Sequence, residues 1–126
     1  MKKSSLILEI KRLTAITSVN CANITSIRDA EEDGVFSMID CTGNAYEVLL
    51  SGSSISVTAG GKTASFSQPQ KYVEAAHTLI LLVKMAKVSP KIFSEIGKDI
   101  SDEKATEIIH GISVARNRSN KKACSI

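Results

Sequence analysis

The chain has 126 residues, 43% of them hydrophobic, and a net charge of +3. These values suit one globular domain, which we expect to span residues 1–126. The mild positive charge does not by itself indicate a nucleic-acid or membrane partner. The longest apolar stretch, residues 72–88, contains two lysines, a glutamate and a histidine. It does not predict a transmembrane helix, because a span needs about 20 mostly uncharged residues.

Two features of the sequence predict a cytoplasmic location. The basic start, MKKSSLILEIKRL, is broken by Glu9 before it can form the apolar region of a signal peptide. The three cysteines, Cys21, Cys41 and Cys124, have no zinc-binding spacing and are odd in number. This pattern favours free thiols in a reducing compartment.

Residues 1–20 are compatible with a helix or a strand. Leu6, Ile10 and Leu13 recur at helical spacing. Alternation of apolar residues in the same stretch, and the β-branched run that follows it, are typical of a strand. We favour a helix over residues 5–16.

Residues 22–67 predict an antiparallel β-meander of about five strands. Short runs of β-prone residues alternate with turns that contain Gly, Asn and Ser, and strands joined in this way pair with their neighbours. The predicted strands are residues 24–27, 35–41, 45–50, 54–58 and 62–67. With helices before and after the sheet, the fold class is α+β.

Residues 68–118 predict two to three helices packed on the sheet. Ser67 and Gln70 have the spacing of a capping box, which predicts a buried helix over residues 69–88.

The remainder of this region predicts two shorter elements and a tail. Ser89-Pro90 restarts the chain into a short helix that ends near Gly97. A last helix is predicted from about residue 101 to about residue 117, because it carries acids at its start and bases at its end. Residues 119–126 are predicted to form a basic, flexible tail.

The stretch RDAEEDGVFSMID, residues 28–40, has the spacing of a calcium-binding loop. Asp29, Glu31 and Asp33 precede a glycine, and Asp40 stands at the last ligand position. The motif requires flanking helices, whereas the flanks here are strand-like. At about 3.3 Å per residue, a strand separates Asp33 from Asp40 by roughly 20 Å, too far to share one ion. We therefore predict an acidic hairpin turn and no metal site.

Residues 56–63, SVTAGGKT, end like a phosphate-binding loop. Ser56 replaces the first glycine of that motif, and no helix is predicted after Thr63. Because the motif works by aiming a helix N-terminus at phosphate, we predict a Gly-Gly hairpin turn and no cofactor. The sequence contains no recognisable catalytic motif, so we predict that the protein is not an enzyme.

The central strands are apolar on both faces. Phe36 and Met38 alternate with other apolar residues in one strand, as Tyr46 and Val48 do in the next. Strands of this kind require cover on both sides, by the chain's own helices or by a second subunit. We predict Phe36, Met38, Tyr46 and Val48 as partner-binding residues.

The profile predicts a small non-enzymatic protein that occludes a protein partner, as inhibitors and immunity proteins do. We expect such a protein in a bacterium or a phage. A homodimer through the sheet is one alternative. Another is an anion- or nucleic-acid-binding accessory protein that uses the basic cluster Arg116, Arg118, Lys121 and Lys122. The cluster lacks aromatic residues for base stacking, so nucleic acid is the less favoured partner.

Overall fold

The computed structural model describes residues 1–96, which form one five-stranded antiparallel sheet and three helices. The strands are β1 Ile24–Asp29, β2 Val35–Asp40, β3 Ala45–Leu50, β4 Ser54–Ala59 and β5 Lys62–Ser67. The helices are α1 Lys3–Thr14, α2 Tyr72–Val88 and α3 Pro90–Glu95. The predicted α+β fold is confirmed, and each predicted strand agrees with the observed one to within two residues. The predicted last helix and basic tail lie outside the described residues.

The sheet is a meander in which every strand pairs with its neighbour in sequence, in the order β1-β2-β3-β4-β5. Its turns depend on glycine, and Gly34 is the most constrained of them. Gly34 has a φ of +75°, and a Cβ at this position would lie 2.7 Å from the carbonyl oxygen of Leu50. Gly43 also has a positive φ, of +87°, but a Cβ there would meet nothing within 4 Å.

Replacing Gly34 by alanine should destabilise the protein more than replacing Gly43 does. Both substitutions place a side chain in the left-handed region, at a cost of about 1–2 kcal/mol. Only Gly34→Ala adds a clash with backbone that cannot rotate away, so we expect a total loss of about 3 kcal/mol. Urea unfolding of the two variants measures the difference. Equal losses would show that the contact with Leu50 relaxes.

Helix α1 resolves the ambiguity at the start of the chain. It runs from Lys3 to Thr14, two residues earlier at each end than predicted. Leu6, Ile10 and Leu13 are buried on one stripe, whereas Leu8 is 69% exposed. The helical spacing of the apolar residues therefore decides the structure here.

The predicted capping box at the start of α2 is wrong. The helix begins at Tyr72, its N-cap is Lys71, and no side chain caps it. The side chain of Gln68 instead accepts a hydrogen bond from the Met1 amino group at 3.1 Å and donates to the carbonyl oxygens of Ser51 and Ser54. The segment before α2 thus holds the N-terminus against the β3–β4 turn.

The two faces of the sheet have different surroundings. The side chains of one face, here the inner face, are largely buried against α1 and α2 in one continuous core. Side chains that oppose each other across paired strands point to the same side of a sheet, so the register defines the other, outer face. The outer face consists of Ser26, Arg28, Val35, Ser37, Ile39, Ala45, Glu47, Leu49, Ser54, Ser56, Thr58, Thr63, Ser65 and Ser67.

One structural finding concerns the helices and another concerns a cysteine. Within residues 1–96, no helix combines the length and the apolarity needed to span a bilayer. Cys41, which follows β2, is disulfide-bonded, so the expectation of free thiols is wrong at this position. The cytoplasmic location stays a prediction, and the cysteines do not support it, because disulfides are rare in the cytosol.

Candidate functional site

The four strand residues predicted to bind a partner lie in the core. Phe36, Met38 and Val48 are 0% exposed, and Tyr46 is 5% exposed. They belong to the inner face and pack beneath the chain's own helices. A side chain without accessible surface cannot contact a partner, so the structure corrects this assignment. The central strands do carry apolar residues on both faces, but the chain's own helices cover the face to which these four residues belong.

The outer face carries the apolar residues that no described helix covers. Val35 pairs with Leu49, and Ile39 pairs with Ala45, on the two adjacent strands β2 and β3. We call these four residues the apolar strip. Leu49 is 43% exposed, and Val35 and Ile39 are half-buried. The apolar strip stays accessible to solvent unless a further contact buries it.

Short hydroxyl side chains lie beside the apolar strip. They occupy the outer face of β4 and β5, and two of them, Thr58 and Thr63, have their hydroxyl oxygens 2.9 Å apart. Two charged residues also belong to the face, Arg28 and Glu47, and their charges are opposite. The result is a surface of small side chains with no net charge.

The buried carboxylate of Asp40 organises the end of the sheet that lies nearest the end of α2. Its Oδ1 accepts hydrogen bonds from the Thr42 amide at 2.9 Å, the Thr42 hydroxyl at 2.6 Å and the Asn44 amide at 3.1 Å. Its Oδ2 accepts one from the Tyr46 hydroxyl at 2.7 Å and contacts the Lys87 ammonium at 3.0 Å. Asp40 is 2% exposed, so these donors replace the water it has lost.

The hydrogen bonds decide the protonation state of Asp40. Burial alone would raise its pKa, but the bonds from Thr42, Tyr46 and Lys87 outweigh burial and hold the pKa well below its usual range. Burial and the neighbouring carboxylate raise the pKa of Tyr46. Asp40 is therefore ionised and Tyr46 is a neutral donor at every physiological pH.

The charge of Asp40 should appear in the acid stability of the protein. The pKa of Asp40 is lower in the folded state than in the unfolded state. Its contribution to the free energy of unfolding is therefore present above the unfolded pKa of about 4, and it is lost as the pH falls through the folded pKa. We expect Asp40→Asn to cost about 3 kcal/mol at pH 7, since it leaves Lys87 without its buried partner. The free energy of unfolding, measured with denaturant from pH 7 to acid pH, should fall less in the variant than in the wild type.

Asp33→Asn is the matched control, because Asp33 is exposed in the β1–β2 turn. We expect a change within about 0.5 kcal/mol for it. An Asp40→Asn profile that parallels the wild type down to acid pH would contradict the assigned role of the carboxylate.

A cleft of about 890 Å³ adjoins this network. Among residues 1–96, three lysines line it, Lys62 at the start of β5 and Lys84 and Lys87 in α2. Small residues such as Ala59 and Gly60 also belong to the lining. Lys87 also donates to the carbonyl oxygen of Ala22 at 2.6 Å. The predicted hairpin turn at Gly60-Gly61 is confirmed, and it brings the adjacent lysine to this cleft.

The cation that lies in the acidic turn of residues 29–34 is the ammonium group of Lys3. The Lys3 ammonium donates to the carbonyl oxygens of Ala30 at 2.8 Å, Glu32 at 2.9 Å and Val35 at 3.3 Å. It also lies 2.7 Å from the Asp29 carboxylate. The hydrogen bond between the two groups lowers the pKa of Asp29. Of the four carboxylates that suggested calcium in the sequence, the Lys3 ammonium contacts that of Asp29, and its other three acceptors are backbone carbonyl oxygens.

Replacing Lys3 by methionine should loosen this turn. The variant removes three hydrogen bonds to carbonyl groups that water can partly replace, so we expect a loss of about 1–2 kcal/mol. Amide hydrogen exchange over residues 29–35 should accelerate. Lys2→Met is the control with the same charge change on an exposed side chain. If both variants exchanged alike, Lys3 would not be the residue that orders the turn.

Other predicted site residues are placed as follows. Among residues 1–96, no group of three or more His, Cys, Asp or Glu side chains is arranged to hold a metal ion. Asp33 precedes β2 and Asp40 ends it, so the strand separates the two carboxylates. The basic cluster Arg116, Arg118, Lys121 and Lys122 lies outside the described residues, and its role as an anion-binding site stays a prediction.

Comparison of the chain with known protein families, with curated proteins and with solved structures finds no match.

Proposed function

We propose that this chain is a non-enzymatic binding protein whose outer face docks on a protein partner and occludes part of that partner's surface. The observation that supports it is the apolar strip on β2 and β3, which no helix of residues 1–96 covers. Leu49 is 43% exposed at one end of the strip, on a strand that is paired on both sides. Exposed apolar residues on a flat, preformed surface are typical of protein contacts.

The side chains beside the strip favour the same kind of contact. The hydroxyl residues of β4 and β5 are short, so they lose little rotamer entropy when a partner immobilises them. A large area can therefore be buried at low entropic cost, with hydroxyl groups available for hydrogen bonds at the rim.

The charge of the outer face favours a protein over a nucleic acid as the binding partner. Nucleic-acid surfaces are matched by clustered Lys and Arg, because phosphate contacts supply most of the affinity. The outer face contributes one arginine and one glutamate, Arg28 and Glu47. A neutral face with an apolar strip suits another protein, and inhibitors and immunity proteins act through such surfaces without a reactive group.

Leu49→Lys tests the proposal, and Leu8→Lys is its matched control. Both leucines are exposed, at 43% for Leu49 and 69% for Leu8, but Leu8 lies on α1, away from the outer face. A partner is first captured from the native host and purified. Its affinity for each variant is then measured by calorimetry. We expect Leu49→Lys to weaken binding at least about tenfold and Leu8→Lys to leave it unchanged, because burying the new ammonium costs several kcal/mol.

Three results would count against the proposal. Equal affinities of the two variants would move the binding site away from the outer face. A thermal midpoint lowered by Leu49→Lys but not by Leu8→Lys would show that Leu49 acts in folding. A solution mass of two chains that returns to one chain in Leu49→Lys would mean that the face forms a homodimer.

A further inference from the structure

Strand β1 lies at one edge of the sheet and has an open side. It pairs with β2, and no further strand of residues 1–96 pairs with it on the other side. The opposite edge strand, β5, is contacted by α3. An open edge presents N–H and C=O groups that can pair with an added strand. A cavity of about 460 Å³ adjoins β1, lined by residues 24–27 and by Lys11, Thr14 and Ala15 at the end of α1.

The side chain of Asn20 already pairs with the open side of β1. Its Oδ1 accepts a hydrogen bond from the Ile24 amide at 2.9 Å, and its Nδ2 donates to the Ile24 carbonyl oxygen at 2.7 Å. Two residues of antiparallel strands exchange the same two bonds when they form a hydrogen-bonded pair. The N–H and C=O of Ile24 therefore point away from β2, and the Asn20 carboxamide occupies the first pairing position of the open edge.

Alternation along β1 locates the next open backbone groups. Residues whose side chains share a face of a strand also direct their N–H and C=O groups to the same side. Ile24, Ile27 and Asp29 share the inner face, because their partners on β2 are buried. The irregularity between Ile24 and Ser26 accounts for the spacing of three residues. The backbone groups of Ile27 and Asp29 thus point to the open side, where an added strand could pair with them.

The charges at this edge favour an acidic strand. Arg28 stands between the two open positions, and its exposed side chain lies on the outer face. Lys11 lines the cavity on the side of α1. Within residues 1–96, neither side chain makes a hydrogen bond or an ion pair with another residue. The carboxylate of Asp29 is bound by Lys3. An acidic residue opposite Arg28 on an added strand would therefore meet a cation that has no partner among these residues.

We infer that β1 accepts an extended segment of another protein as an antiparallel sixth strand. Two β-branched residues of the segment lie opposite Ile27 and Asp29, and an acidic residue between them lies opposite Arg28. Main-chain hydrogen bonds supply the affinity in this kind of strand addition, and alternate side chains supply the specificity. The segment binds at the edge of the sheet and away from the apolar strip, so the inference does not depend on the proposed contact of the outer face.

The peptide acetyl-Thr-Val-Glu-Val-Thr-amide tests this pairing when it is titrated into isotope-labelled protein. Its valines match the positions opposite Ile27 and Asp29, and its glutamate matches the position opposite Arg28. In the inferred arrangement the valine amides point to β1, and the amides of glutamate and the last threonine point to solvent. A peptide N-methylated at both valines therefore loses its bonds to β1, whereas one N-methylated at glutamate and the last threonine keeps them.

We expect saturable amide shifts at residues 24–29 with the parent peptide and with the peptide methylated at glutamate and threonine. The peptide methylated at the valines should bind at least about tenfold more weakly. Arg28→Gln should weaken binding of the parent peptide about threefold, because it removes the cross-strand charge pair. Lys71→Gln is the matched control. It changes the net charge equally on an exposed side chain at the start of α2, so it should leave the affinity unchanged.

Any of three results would overturn the inference. The first is the absence of a saturable shift up to about 10 mM peptide. The second is equal or reversed affinity of the two methylated peptides, which would mean that the bound peptide does not pair with β1 as an antiparallel strand. The third is equal weakening in Arg28→Gln and Lys71→Gln, which would indicate attraction to the net positive charge alone.

Discussion

The ion pair between Asp40 and Lys87 joins the sheet to α2. Asp40 ends β2, Lys87 lies in the last turn of α2, and the same ammonium reaches the carbonyl oxygen of Ala22 before β1. Because the carboxylate is buried and ionised, each of its donors must stay in place, or an unpaired charge would be left in the core. The position of α2 on the inner face, and hence the shape of the cleft, follows from this requirement.

Local chemistry predicted the sheet, while contacts between distant residues account for what sequence reasoning missed. Alternation and glycine turns are local signals, so the strands were predicted almost residue by residue. The spacing of Asp40 and Thr42 resembles an Asx turn, a signal that could have revealed the network. Lys3 had no such signal, because its acceptors lie about 30 residues away along the chain. The faces were misassigned because apolar residues in a strand do not show which side a helix will cover.

The meander has a consequence for how the chain folds during synthesis. Each strand finds its partner in the segment made just before or after it, so the sheet can assemble progressively with short loop closures. Helix α1 is made before the sheet, yet it packs against α2, which begins only at Tyr72. Until α2 leaves the ribosome, the stripe of Leu6, Ile10 and Leu13 lacks its main cover. A nascent chain stalled before Tyr72 is therefore the species most exposed to aggregation and to chaperone binding.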